Sequence, residues 1–156
     1  MEREWRQTGW TLLELLVVLG IMGILASLAL PSFQGMLAHY RLEGAVQGLV
    51  SDLRLARQTA IAERVPILMR LDPDLDRYTL EREGSPDQPI IPVRDYRDPI
   101  QDYYGIDLVH STKGNRLVFS PRGTTNSWTT ILLRSSMGEE QQISLIATGR
   151  VKRSKP

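Results

Sequence analysis

One carboxylate stands near the start of an otherwise apolar run: Glu14, in the stretch GWTLLELLVVLGIMGILASLALP from Gly9 to Pro31. A bare carboxylate in a bilayer costs about 2.5–3.5 kcal/mol on insertion scales, and a segment that only anchored the chain would gain nothing from keeping it. Glu14 therefore calls for a positive partner. Cutting the chain between Gly9 and Trp10 supplies one, because it frees an α-amino group on Trp10, one helical turn from Glu14. In a filament of staggered helices, Glu14 of one subunit can pair with the terminal amine of its neighbour. Low dielectric strengthens such a pair, and losing one member leaves a buried charge unpaired.

Other residue types that do chemistry are sparse. The chain has no cysteine, which excludes thiol chemistry, disulfides and zinc-thiolate sites. His39 and His110 are the only histidines, and no paired acid stands at ligand spacing, so no metal site is expected. His39 is expected at the membrane interface or in a filament contact. Asp72-Pro-Asp-Leu-Asp alternates carboxylates, with Glu83 at the twelfth place, as a calcium loop would. Arg77 occupies the place of the sharp-turn glycine, and Pro73 with Tyr78-Thr-Leu suggests a hairpin, so a solvated turn is the preferred reading. No G-x-S-x-G frame accompanies the serines. The chain reads as a non-enzyme without cofactor.

The tail is the other charged feature. Arg150, Lys152, Arg153 and Lys155 occur without an acid; net charge is +1, which leaves −3 for the rest of the chain. Such a tail can be a solvated terminus, a contact for acidic partner subunits, or a phosphate-binding segment, since Lys and Arg contacts to phosphates give sequence-independent affinity. It is expected to be exposed and mobile.

These residues need elements to position them. Trp10 to Pro31 covers ~30 Å as helix, enough for one membrane crossing. A secretory signal peptide is the competing reading, with Ala26-Ser27-Leu28-Ala29 imitating its cleavage site, but it needs neither Glu14 nor the glycine before the run. Gly23 and Ser27 form a small-xxx-small pair suited to close helix approach. Beyond Pro31, Leu42, Val46, Leu49, Leu53, Ala56 and Ala60 form one apolar stripe at helical spacing. One helix is predicted from Trp10 to Glu63, kinked at Pro31 and stopped by Pro66. Strands are predicted at Val65–Leu71, Arg77–Arg82, Ile90–Val93, Ile106–His110, Arg116–Ser120, Thr129–Arg134 and Gln142–Ala147, with Val151 extending the last. Gly84 to Asp102, which holds Pro86, Pro89, Pro92 and Pro99, reads as a long surface loop. The expected organisation is a leader (1–9), a transmembrane half-helix (10–31) and an extracytoplasmic domain (32–156).

The N-terminus resembles the class III signal of type IV pilins and pseudopilins. Gly9 fits the cleavage glycine, Glu14 the glutamate and Pro31 the helix-bending proline. Trp10 stands where Phe is usual, and the leader MEREWRQTG balances Arg3 and Arg6 against Glu2 and Glu4. Farther on, Ser51-Asp-Leu-Arg-Leu-Ala-Arg-Gln-Thr-Ala-Ile-Ala-Glu-Arg, Phe119-Ser-Pro-Arg-Gly, Thr130-Ile-Leu-Leu-Arg and Ile143-Ser-Leu-Ile-Ala-Thr-Gly-Arg-Val-Lys resemble the GspH/FimT group of minor pseudopilins. The resemblance implies an α+β fold, a long N-terminal helix packed on antiparallel sheets. It implies cleavage by the prepilin peptidase at Gly9–Trp10 and N-methylation of Trp10. It also implies a single-pass place in the bacterial inner membrane with the C-terminal domain in the periplasm. The expected partners are other pseudopilins or pilins, in a type II secretion pseudopilus or a related filament. The FimT branch is associated with DNA uptake through a basic Gly-Arg motif. Gly149-Arg150-Val151-Lys152 resembles that motif with Lys for the second Arg, so nucleic acid stands as the alternative partner, not the preferred one.

Overall fold

The structure, a computed structural model, describes residues 11–101, 103–111, 115–126 and 128–154. The chain divides into two compact units, Met1–Met36 and Leu37–Pro156. Helix α1, Leu12–Glu63, begins in the first and ends in the second, and it continues through Pro31.

In the first unit the apolar side chains of α1 are exposed, from Leu12 (77%) to Leu30 (58%). The helix is long and apolar enough to cross a membrane. Ser27 Oγ donates to the Ile24 carbonyl at 2.7 Å, which satisfies its hydroxyl within the helix. A methyl group added at Gly20 or Gly23 would touch nothing within 4 Å. The small-residue strip is therefore uncovered by its own chain among the described residues.

In the second unit the stripe is fully buried: Leu42, Val46, Leu49, Leu53, Ala56 and Ala60 are each 0% exposed. Two antiparallel sheets cover it. The first contains β1 (Ile67–Asp72), β2 (Arg77–Arg82), β3 (Ser85–Pro89), β4 (Arg94–Asp95) and β6 (Arg116–Phe119). Its order is β3-β2-β1-β6, with β4 also paired to β2. The second has the order β5-β7-β8-β9, from β5 (Ile106–Ser111), β7 (Thr129–Ser135), β8 (Glu140–Leu145) and β9 (Val151–Ser154). Inward residues alternate along β7 and β8, so Ile131, Leu133, Ile143 and Leu145 enter the core while their neighbours face out. The core joins both sheets to the helix through Met69, Leu80, Leu108, Phe119 and these four.

The helix stops at Glu63, where Arg64 takes a left-handed conformation (φ 56°) ahead of Pro66. Arg82 closes that end with a two-pronged bond to Glu63, both arms 2.8 Å.

Three sequence expectations need correction. The segment from Gly84 to Asp102 is not a continuous surface loop: it contributes β3 and β4 and buries Ile91 and Tyr96. Pro86 and Pro89 fit because β3 is an edge strand, where a missing N–H can face away from the ladder, and Pro92 and Pro99 lie outside the strands. Ile90–Val93 is not a strand but the link between β3 and β4. Val151 does not extend the preceding strand; Gly149, at φ 75°, reverses the chain into the separate β9. The acidic run at Asp72 is a turn in which Asp72 and Asp76 serve the chain's own donors. Asp72 Oδ1 accepts from the Leu75 N–H (3.3 Å), and Asp76 accepts from the Leu108 N–H (2.9 Å) and Arg97 (2.7 Å).

Candidate functional site

The first candidate site is the start of α1. Thr11 precedes the first helical residue, and its Oγ1 accepts from the Glu14 N–H at 3.2 Å, as an N-cap does. Thr11-Leu-Leu-Glu14 has the spacing of a capping box, which places Glu14 in the first turn, where the helix dipole favours an anion. Its side chain is exposed, and among the described residues the carboxylate has no hydrogen-bond or ion-pair partner. Gly9 and Trp10 lie outside the described residues.

The second is the C-terminal strand. The basic tail is not a free segment: Val151–Ser154 pairs with β8, from Leu145↔Val151 to Gln142↔Ser154. Its cations separate. Arg153 forms an ion pair with Glu43 of α1 and donates to Gln141 Oε1 at 2.8 Å. Its guanidinium, aided by Gln47, holds the Glu43 carboxyl down to about 2. Arg150 sits in the turn before β9, Lys152 is exposed on the strand, and Lys155 lies outside the described residues.

In sequence, Arg54 and Arg57 are simply polar positions of the helix. The fold brings them to the tail. Arg54, Arg57 and Gln58 line a cleft of about 320 Å³ with Gly149, Arg150 and Val151. Arg57 Nε donates to the Gly123 carbonyl at 3.0 Å and crosses a cradle made by two glycines. A Cβ at Gly149 would collide with the Gly123 carbonyl oxygen and stand 2.9 Å from Arg57 Nε. A neighbouring cleft of about 390 Å³ is lined by Val46, Gln47, Val50, Ser51 and Arg54 of the helix and by Val151 and Arg153 of β9. The only sequence signal for this grouping is the spacing of Arg54 and Arg57 on one side of the helix.

Two further contacts carry no signal in the sequence. His39 Nδ1 lies 2.8 Å from Glu139 Oε2, so the contact it makes is with the hairpin joining β7 and β8. The side chain of His110 lies outside what the structure describes. Tyr103 lies against Gly44 and Gly48, where a Cβ at Gly44 would come within 2.5 Å of its ring. That glycine pair admits a side chain of its own chain.

Comparison with known proteins matches these features to one group. The family described as type II transport protein GspH matches residues 45–149, and the prokaryotic N-terminal methylation motif matches residues 6–30. A fimbrial protein of Pseudomonas aeruginosa is 38% identical over 74 residues, 47% of each chain. The chain spans about half the length of the curated relatives it matches. Among solved structures, the type IV minor pilin FimU of Pseudomonas aeruginosa shares the fold at a TM-score of 0.59 and 18% identity. That match covers 74% of this chain and 90% of FimU. The minor pseudopilin EpsH from the type 2 secretion system of Vibrio cholerae does so at 0.56 and 16%, covering 74% and 98%. With its family match running from the middle of α1 to Gly149 and a methylation motif over the exposed apolar helix, this chain belongs to the GspH family of pseudopilins.

Proposed function

We propose that the protein is a minor pseudopilin, a structural subunit that is held in the bacterial inner membrane by the first half of α1 and assembled into a type II secretion pseudopilus or a related type IV filament. The observation that carries this reading is a helix with two environments. Its N-terminal part exposes every described apolar side chain and one unpaired carboxylate, while its C-terminal part buries a stripe under two sheets. A soluble protein gains nothing from the first, and lipid followed by neighbouring helices gives it a place. On this reading the prepilin peptidase removes residues 1–9, Trp10 is N-methylated, and Glu14 pairs with the terminal amine of an adjacent subunit. The second unit lies in the periplasm.

The nucleic-acid alternative draws less support. Of the tail cations, Arg153 is already paired with Glu43 of α1, so its charge is neutralised within the chain.

The test has two arms. Mass spectrometry of membrane-extracted protein should show a chain that starts at Trp10 and carries a methyl group; a chain that begins at Met1, or after Ala29, contradicts the reading. Glu14→Leu should still insert, since it removes a charge that is costly in lipid. It should fail to enter filaments or to complement a deletion strain, and normal complementation would remove Glu14 from assembly.

A further inference from the structure

β9 is an edge strand with one side taken. The Ile146 N–H donates to the Arg150 carbonyl at 3.1 Å, and the ladder then continues through Ser144↔Lys152 and Gln142↔Ser154. Antiparallel ladders bond alternate residues, so Arg150, Lys152 and Ser154 turn their backbone groups toward β8. Val151 and Arg153 turn theirs away from it. No described strand pairs with that outer edge. An open edge is a template for another strand, and proteins that do not use one keep it short, charge it, or blunt it with proline, a bulge or a covering element. β9 is short and carries Lys152 and Arg153, but it has no proline or bulge and its ladder with β8 is regular, so its charge selects against a basic strand and leaves the edge open to an acidic one.

The space beside the edge is shaped for a strand. The two clefts described above share Arg54 and Val151, and together they run along β9 from Arg153 to Arg150 with α1 as the opposite wall. The floor is partly apolar, from Val46, Val50 and Val151. The rim is basic. Arg54 and Arg150 make no side-chain hydrogen bond or ion pair among the described residues, and Arg57 donates only to the Gly123 carbonyl. Arg70, Arg77, Arg82, Arg94, Arg97 and Arg134 each meet a carboxylate, and Arg41, Arg64, Arg116 and Arg122 share the unpaired state among the described residues, but of the unpaired arginines only Arg54 and Arg150 line the clefts beside the open edge of β9.

We propose that this groove is a docking site for an extended acidic segment of a neighbouring subunit, which adds to the second sheet as a fifth strand beside β9. Main-chain bonds to Val151 and Arg153 give the affinity of strand addition, and side chains on alternate positions read the groove. Apolar residues of the incoming strand face Val50 and Val151, and its carboxylates meet Arg54 and Arg150. A second copy of this edge is disfavoured because like charges would face each other across the ladder. A nucleic-acid backbone would leave both the strand edge and the valine floor unused. The filament reading enters only in naming the partner as a subunit; the edge and its charge stand without it.

The test uses the full chain in detergent micelles and a labelled peptide of about eight residues, valine alternating with glutamate, the length of an ordinary strand. Fluorescence anisotropy should show binding that weakens with salt. The Arg54→Gln/Arg150→Gln variant should weaken it about tenfold, a loss of ~1.4 kcal/mol. N-methylation of alternate peptide nitrogens, which blocks ladder bonds and keeps charge, should abolish it. Hydrogen exchange should slow at the Val151 and Arg153 amides when the peptide is present. The proposal is overturned if the N-methylated peptide binds as well as the parent, if a lysine-for-glutamate peptide binds as well, or if neither peptide binds. It is also overturned if a short DNA duplex binds at these arginines more tightly than the peptide. None of these outcomes bears on cleavage at Gly9 or on filament entry of Glu14→Leu, so failure here and failure of the assembly reading remain distinguishable.

Discussion

Glu14 and Glu43 are both acids of α1, and their surroundings give them opposite roles. Glu14 has no partner among the described residues, which is why its effect is expected in assembly rather than in folding. Glu43 is held by Arg153, Gln47 and Gln141, with Arg153 the largest cause of its depressed pKa of about 2. A carboxylate whose pKa is lowered by folding contributes stability above its unfolded value, and that stability is lost as pH falls toward the folded value. The window for Glu43 therefore runs from about 4.5 down to about 2. The pair is partly exposed, so solvent screens it and the effect is small. The thermal midpoint of the wild type should exceed that of Glu43→Gln at neutral pH, and the gap should narrow through that window. A gap that stays constant from neutral pH to the acid limit would show that this ion pair does not couple to folding.

At the scale of elements, the second half of α1 depends on its stripe, and the β8–β9 turn on one glycine. Leu49 is fully buried in the core that the helix shares with the sheets. Burial of such a side chain contributes about 1.5–3 kcal/mol, and a carboxylate in its place adds the cost of an unpaired buried charge. Leu49→Asp should abolish cooperative melting, while Asp at the exposed Ser51, on the same helix, should change it little. Equal melting curves for the two variants would contradict the packing. Gly149 and Gly138 both have positive φ, 75° and 83°, but only Gly149 is crowded: a side chain there would run into the Gly123 carbonyl, whereas one at Gly138 would meet open space. Gly138→Ala should cost about 1 kcal/mol from backbone conformation alone. Gly149→Ala should cost clearly more in urea denaturation, and an equal cost at both sites would mean that the Gly123–Arg57 cradle opens freely.

For the whole molecule, Leu37–Pro156 holds a core that draws on the helix and both sheets. It contains no cysteine, and among the described residues no group of acids and histidines is arranged to hold a metal. A fragment that begins at Leu37 should therefore fold without the apolar half of α1 and melt in one transition, with the same midpoint in excess chelator. A fragment that melts only in detergent, or whose midpoint drops with chelator, would show that the unit needs the first half of the helix or a bound ion.

Much of this is legible in the order of residues. The apolar run with Glu14, the stripe from Leu42 to Ala60 and the strand at Arg77–Arg82 follow from local periodicity, which depends only on neighbours along the chain. The segment from Gly84 to Asp102 reads wrongly as a loop because prolines mark loops in sequence but are tolerated on an edge strand, and edge position is a property of the sheet. The tail shows the same limit. Four cations near a terminus look like one mobile patch. Tertiary structure pairs Arg153 with Glu43, 110 positions away, and sets Arg150 beside Arg54 and Arg57. The sequence by itself determined that the chain has a membrane-length helix, an amphipathic continuation and a β-rich remainder. Only the tertiary structure decided which charges are neutralised and which strand edge stays open, because both depend on contacts between residues far apart in the chain.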